Sequence, residues 1–289
     1  MVESLFYGDK ELKVINVLGM YRNNGSYFEF LFKRFEEWEQ KYNVDFRYFF
    51  MENNSTDDTR EKVVEFVKHR KGSKAILFNS KKDYVNTDDG RNFNRINALA
   101  RLRNKLLDSI TPLPDDEWCV FVDSNLYFRY DILPEVLKQP IVDRDQVGMM
   151  CVYTQQLLLP EIHLKNETEP VLMQHFYDTY SFVDNKNRSF YPLCAFEKCS
   201  ICTSYQTDKT HARVPKEQSV VEVNSCFGGF TFIKSELLNN EGIRWDTILY
   251  DMTGDKSLCE HYLFCDRLRR IGKKKIVMLQ DVDHLYRTV

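Results

Sequence analysis

The sequence predicts an α/β chain built on a mostly parallel central sheet flanked by helices. Short apolar runs with strand composition recur at residues 13–18, 44–51, 75–78 and 118–122. Segments with the 3.6-residue periodicity of amphipathic helices separate them. Strand–helix–strand–helix alternation of this kind argues for a parallel sheet. Two of the strands also run straight into acidic or amide side chains, at residues 52–54 and 123–125. In an open α/β sheet ligands bind at that carboxyl edge.

Taken in order, residues 13–18 (Lys-Val-Ile-Asn-Val-Leu) read as the first strand and 19–26 as a polar loop. Phe28, Leu31, Phe32, Phe35 and Trp38 then mark one face of a helix over 27–42. The second strand, 44–51, stops at Glu52-Asn53-Asn54-Ser55-Thr56-Asp57-Asp58-Thr59. Ser, Thr, Asp and Asn accept hydrogen bonds from unpaired first-turn amides, so a helix over 58–69 follows. After the third strand, Phe93, Ile96, Leu99, Ala100, Leu106 and Leu107 mark a helix over 92–110, ended by Pro112 and Pro114. It carries Arg95, Arg101, Arg103 and Lys105. Arg95 and Arg103 are eight apart, close to one face, and guanidinium groups clasp phosphate oxygens in bidentate fashion. A solvated basic face paired with nearby acids would use the same residues.

The strand 118–122 delivers Asp123 and Asn125 at its tip. A carboxylate and an amide oxygen two residues apart are hard donors suited to Mg²⁺ or Mn²⁺ held against a diphosphate. Both residues also favour plain turns. Residues 147–153 read as another buried strand. From 155 to 218 the pattern is irregular, aromatic and broken by Pro160, Pro170, Pro192 and Pro215. A region of that length usually carries function or forms a lid. Within it, Cys194, Cys199, Cys202 and His211 have a spacing compatible with a zinc knuckle, or with buried small apolar residues.

Strand character resumes at 220–223 and 231–233, on either side of Asn224-Ser225-Cys226-Phe227-Gly228-Gly229-Phe230. Paired glycines permit a close backbone approach to a ligand, or an ordinary strand bend. A helix over 258–270 has Glu260 near its N-terminus, where the dipole favours an anion. The last strand, 275–279, leads to Asp281-Val282-Asp283-His284. His284 is a candidate to complete a cation's coordination, although a lone histidine is more often a surface or hydrogen-bonded group.

Composition bounds the class. A chain of 289 residues with 43% hydrophobic content can bury one large core, or a core plus a lobe. A formal net charge of −3 gives no polyanion-binding signature, so nucleic acid is a poor partner. No apolar run approaches the ~20 residues that span a bilayer, and residues 1–10 lack the regions of a signal peptide. A soluble cytoplasmic protein is expected, unless the chain is part of an anchored enzyme. Eight cysteines, several in predicted elements, fit buried free thiols better than a disulfide framework. Sequons occur at Asn24, Asn53, Asn54, Asn166 and Asn187, and those in the Glu52 segment would block the expected site if modified.

The order of strand, Glu-Asn-Asn-Ser-Thr-Asp-Asp-Thr, helix, strand and Asp-x-Asn resembles that of GT-A glycosyltransferases. Three blocks are similar to the fungal capsule (CAP59-like) mannosyltransferase family: residues 95–104, residues 224–230, and residues 260–265 running on to 270–277. The Glu52 segment makes a fourth, and the resemblance extends from about Lys13 to His284. It implies a single GT-A domain over 1–289, with the donor-binding part at about 10–153 and an acceptor-side lobe and C-terminal part at about 154–289. It implies a metal-dependent transferase that moves a hexose, mannose foremost, from a GDP- or UDP-linked sugar to a glycan hydroxyl, with Mn²⁺ or Mg²⁺.

The resemblance also implies roles. Glu52 would meet the base or ribose of the donor. Asp123 and Asn125 would occupy the metal-binding DxD position, with Ser124 between them among the donor contacts. Arg95 and Arg103 would neutralise the diphosphate, and Gly228 and Gly229 would line the junction of donor sugar and acceptor. Glu260 would reach the acceptor or the anomeric centre, as general base in an inverting enzyme. His284 would be a metal ligand. Asn125 departs from the second acid of the motif and lowers the charge at the metal position. A nucleotidyltransferase would want a Gly-rich nucleotide loop after the first strand, and Gly19-Met-Tyr-Arg-Asn-Asn-Gly25 is a poor one. A non-catalytic nucleotide- or glycan-binding relic is the other alternative.

Overall fold

A computed structural model describes residues 2–79, 92–158, 171–176, 178–189, 218–248, 257–282 and 285–288. A hairpin of β1 (Leu5–Tyr7) and β2 (Lys10–Leu12) precedes β3 (Val14–Tyr21). The alternation expected from the sequence follows: α1 (Phe28–Lys41), β4 (Asp45–Asn53), α2 (Thr59–Lys68), β5 (Lys74–Phe78), α3 (Phe93–Asp108) and β6 (Trp118–Val122). Then come β7 (Leu126–Tyr127), α4 (Ile132–Leu137), β8 (Val147–Val152), β9 (Gln155–Leu158), β10 (Val171–Phe176) and β11 (Val183–Asp184). The described chain closes with β12 (Val220–Ser225), β13 (Phe230–Lys234), α5 (Ser235–Leu238), α6 (Glu260–Arg270), β14 (Lys275–Leu279) and β15 (Tyr286–Thr288).

Nine strands form the central sheet in the order β11-β12-β14-β8-β13-β6-β3-β4-β5. β3, β4, β5 and β6 are mutually parallel, and β14 is parallel to β8. β13 runs against both β6 and β8, and β12 against β14 and β11. All strands of this sheet other than β12 and β13 therefore point one way, with antiparallel pairing confined to the neighbours of those two. The carboxyl ends of β3, β4 and β6 consequently lie along one edge.

Side-chain alternation divides the core between the two faces of this sheet. Along β6, Trp118, Val120 and Val122 join Phe28, Leu31, Phe35 and Trp38 of α1, while Cys119 and Phe121 join Leu102, Leu106 and Leu107 of α3 and Phe264 and Leu268 of α6. A strand buried on both sides needs a continuous apolar run, and 118–122 supplies one. Trp38 is fully buried against Phe35, Phe46 and Phe128.

Three features depart from the sequence reading. β3 extends to Tyr21, so Gly19 and Met20 are strand rather than loop. The region expected to be irregular holds β9, β10 and β11; β9 and β10 join β15 and β7 in a second, four-stranded sheet. The expectation of free thiols fails for one pair: Cys151, at the end of β8, and Cys226 form a disulfide across 75 residues. Cys226 lies beyond the end of β12, and the fold brings it beside Cys151, a contact that spacing alone does not reveal. Cys119, Cys259 and Cys265 are free and buried as expected. Cys194, Cys199, Cys202 and His211 lie outside the described residues.

Candidate active site

Two loops at the carboxyl edge are laced together before any site residue is placed. Thr59 Oγ1 accepts from the amide of Asn24 (2.7 Å), Asp57 accepts from the amide of Gly25 (3.0 Å), and Asn23 accepts from the amide of Thr56 (2.8 Å). The loop after β3 and the loop after β4 are thus one unit. Glu52, at the end of β4, is fully buried beneath it. One carboxylate oxygen accepts from the Ser55 amide (2.6 Å) and the other from Arg60 Nε (2.6 Å). Both oxygens are occupied within the fold, and Glu52 does not line the cleft beside it.

That cleft, about 210 Å³, is lined by Arg95, Arg103, Asp123, Ser124, Asn125 and Arg287, with Phe121 and Phe227 among its apolar walls. Five residues expected from the sequence therefore meet in one place. Arg95 and Arg103 share it because both lie on the same side of α3. Asp123 is fixed from two directions. Its amide donates to the Gly229 carbonyl (2.8 Å), and its Oδ2 accepts from Arg287 Nη1 (2.8 Å). Arg287, on β15, was not singled out in the sequence, where it is an isolated cation three residues past His284. His284 itself lies outside the described residues.

Gly228 and Gly229 both have positive φ, +75° and +76°. A Cβ on Gly228 would stand 2.6 Å from the Val152 carbonyl, and one on Gly229 would stand 3.0 Å from Asp123 Oδ2. Glycine is required here by backbone conformation and by space. The Gly228 amide donates to Asp178 (3.0 Å), and its carbonyl accepts from Thr154 Oγ1 (2.6 Å). Burial pushes the Asp178 carboxyl above the usual carboxylate range, although Ser181, the Gly228 amide and Arg287 oppose the shift. Asp178 lies in the proline-broken region, where no periodicity pointed to it.

Glu260, expected near a helix N-terminus, is the first residue of α6, and it is not among the residues that line the cleft. It is 3% exposed and its Oε1 forms an ion pair with Arg103 Nη1. Cys259 Sγ lies 3.5 Å from its other oxygen. Burial first, and its neighbour Glu260 next, hold the Cys259 thiol far above its ordinary value, so it stays protonated. His261 stacks on Phe227 with ring centroids 3.7 Å apart, and its Nδ1 accepts from Trp245 Nε1 (3.1 Å). That bond places the ring proton on Nε2, which lies 3.7 Å from Glu260 Oε1. Burial and the Arg103 charge hold His261 well below the usual histidine range, so the ring is neutral.

Ligand atoms of Cys259, Glu260 and His261 lie within 4.8 Å of one another. With Arg103 on Glu260 and the Trp245 proton on His261, this trio is already satisfied and makes a poor cation cage. Asp123 and Asn125 suit a cation better. They offer hard oxygens, and Asp123 Oδ1 takes no hydrogen bond among the described residues. A larger cleft of about 640 Å³ lies at the opposite sheet edge, near Lys10, Glu117, Trp118 and Lys234. Its lining mixes charges of both signs and includes none of the expected site residues.

The chain is similar in outline to several solved structures. S. aureus TarS 1–349 shows 16% identity and a TM-score of 0.49, covering 96% of this chain and 60% of that one. GalNAc-T7 with UDP, GalNAc and Mn²⁺ shows 12% identity and 0.49, covering 97% and 45%. Mannosyltransferase PcManGT from Pyrobaculum calidifontis, in complex with GDP-Man and Mn²⁺, shows 12% and 0.46, covering 95% and 56%. The chain thus spans about 60% of the length of TarS 1–349 and less of the other two. No curated protein matches it at a significant level. Residues 49–266, most of the chain, match the family model described as Cryptococcal mannosyltransferase 1, and the chain belongs to that family.

Proposed function

We propose that the protein is a metal-dependent glycosyltransferase that moves a hexose, mannose foremost, from a GDP- or UDP-linked sugar to a glycan hydroxyl. One observation carries this reading: Arg95, Arg103 and Arg287 converge with Asp123, Ser124 and Asn125 on one cleft, at the carboxyl edge of the sheet, in a chain of a mannosyltransferase family. Negative charge develops on the departing nucleoside diphosphate in such a transfer. Guanidinium groups fixed before the reaction stabilise it without reorganising. Arg103 is fixed in this way, since Glu260 holds its Nη1 and Phe227 underlies its guanidinium at 5.6 Å.

Asp123 and Asn125 would hold Mn²⁺ or Mg²⁺, which would supply further charge neutralisation at the diphosphate. The Gly228–Gly229 turn, set by Asp178 and Thr154, would form the floor where donor sugar and acceptor meet. Glu52 would act through its loop, by holding Ser55 and Arg60, more than by touching the base. Among the described residues no helix is long and apolar enough to cross a membrane. The buried Cys151–Cys226 disulfide supports folding in an oxidising compartment rather than the cytoplasm.

The test is nucleotide release from a panel of UDP- and GDP-sugars, with Mn²⁺ and with EDTA, for wild type and Asp123→Ala. Release from one donor that disappears with EDTA and in the variant supports the reading. The Asp123–Arg287 ion pair and the neutral Asn125 favour one rival, a nucleotide-binding relic. That rival predicts donor binding without turnover.

A further inference from the structure

The described cleft residues include three guanidinium groups and a single carboxylate, Asp123. A metal-binding position in those surroundings is electrostatically unusual. Asn125 adds an oxygen but no charge, and the one carboxylate among the described lining residues already faces Arg287 at 2.8 Å. A divalent cation approaching Asp123 meets a like-charged neighbour on the same carboxylate, and like charges at such range repel strongly even in a solvated cleft. A diphosphate approaching the same cleft meets three guanidinium groups, with Arg103 already held by Glu260 and Arg287 by Asp123. The electrostatics favour the anion first and the metal with it.

We infer that Arg287 is an internal counter-ion: it neutralises Asp123 until the donor arrives, and then serves the diphosphate. This rests on the donor reading of the cleft given above. Two features of the pair suit an exchange. Neither side chain is sealed in, with 22% of Arg287 and 35% of Asp123 exposed, in contrast to 11% and 4% for Arg103 and Glu260. On the carboxylate side only Asp123 Oδ2 is engaged by Arg287, leaving Oδ1 for another ligand. Arg103 is a fixed cation and Arg287 an exchangeable one. Asp123 would not face the metal as an unpaired carboxylate, so metal affinity depends on the nucleotide. By linkage, the metal raises nucleotide affinity by the same factor.

The test separates two effects of opposite sign, read by calorimetry with Mn²⁺ alone, with GDP or UDP alone, and with each nucleotide plus Mn²⁺. Arg287→Ala should bind Mn²⁺ alone about tenfold more tightly than wild type, because the repelling charge is gone. The same variant should bind nucleotide in the presence of Mn²⁺ about tenfold more weakly, having lost a charged hydrogen bond to phosphate. Arg287→Lys keeps the charge, and should match wild type for Mn²⁺ alone while recovering part of the nucleotide affinity. A purely structural arginine would weaken both ligands in Arg287→Ala, and that result overturns the inference. So does an unchanged Mn²⁺ affinity in a variant whose melting temperature matches wild type. If wild type binds neither nucleotide with Mn²⁺, the donor reading itself fails, an outcome distinct from normal wild-type binding with an unresponsive Arg287→Ala.

Discussion

Replacing Glu260 by Gln distinguishes a catalytic carboxylate from one that anchors an arginine. The pair is buried on both sides, with side-chain exposures of 11% for Arg103 and 4% for Glu260. Breaking a buried ion pair by removing one partner costs about 3–5 kcal/mol, because the remaining charge is left uncompensated. Two features reduce the cost here: the Gln carbonyl still accepts one hydrogen bond, and Arg103 keeps its place over the Phe227 ring at 5.6 Å, worth about 0.5–2 kcal/mol. A loss of about 3 kcal/mol remains. At roughly 2.1 cal/mol/K of unfolding entropy per residue, a chain of this length has about 0.6 kcal/mol/K, so the melting temperature should fall by about 5 °C. Scanning fluorimetry reads the shift, and a urea titration checks that the m-value is unchanged. Nucleotide affinity should fall in the same variant, since Arg103 loses its ion pair and is held less firmly. A variant that melts within about 1 °C of wild type yet loses all turnover would refute the anchoring argument and return Glu260 to the role of base.

Two further substitutions probe the surroundings of this pair. His261 is neutral in the folded protein and would take a proton near 6.5 when unfolded. Below that pH the unfolded chain binds a proton the folded chain refuses, so the histidine lowers stability by about 1.4 kcal/mol per pH unit as the pH falls. His261→Asn keeps an acceptor for Trp245 and should flatten the decline in melting temperature between pH 7 and 5.5; an unchanged slope would place a charged histidine there. Gly228→Ala combines a φ of +75° with a Cβ at 2.6 Å from the Val152 carbonyl. A destabilisation of about 2–4 kcal/mol by urea unfolding is expected from strain and backbone displacement together. A neutral result would mean that the turn can relax.

The donor half was legible because its signals are local. Val120, Phe121 and Val122 needed only a continuous apolar run to be placed as a central strand, and that strand fixes the position of Asp123. Arg95 and Arg103 could be put on one face by counting along a helix. Contacts set by tertiary packing were not legible. Nothing near Glu260 announces that Arg103, 157 residues earlier, closes onto it. Arg287 reaches Asp123 because β15 pairs with β7 just beyond the Asp123 turn, a register that a short strand does not encode by itself. Asp178 became visible only once β10 and the Gly228 turn were placed together. The Cys151–Cys226 bond likewise depends on β8 and the segment after β12 meeting in space.

Crystals grown with GDP-mannose and Mn²⁺, measured at the manganese absorption edge, test the central claim most directly. The account predicts one anomalous peak about 2.1 Å from an Asp123 carboxylate oxygen, with the diphosphate against Arg95 and Arg103. A manganese peak in the Cys259–Glu260–His261 cluster, or nucleotide density in the larger cleft beside Lys10 and Lys234 with none at Asp123, would contradict it.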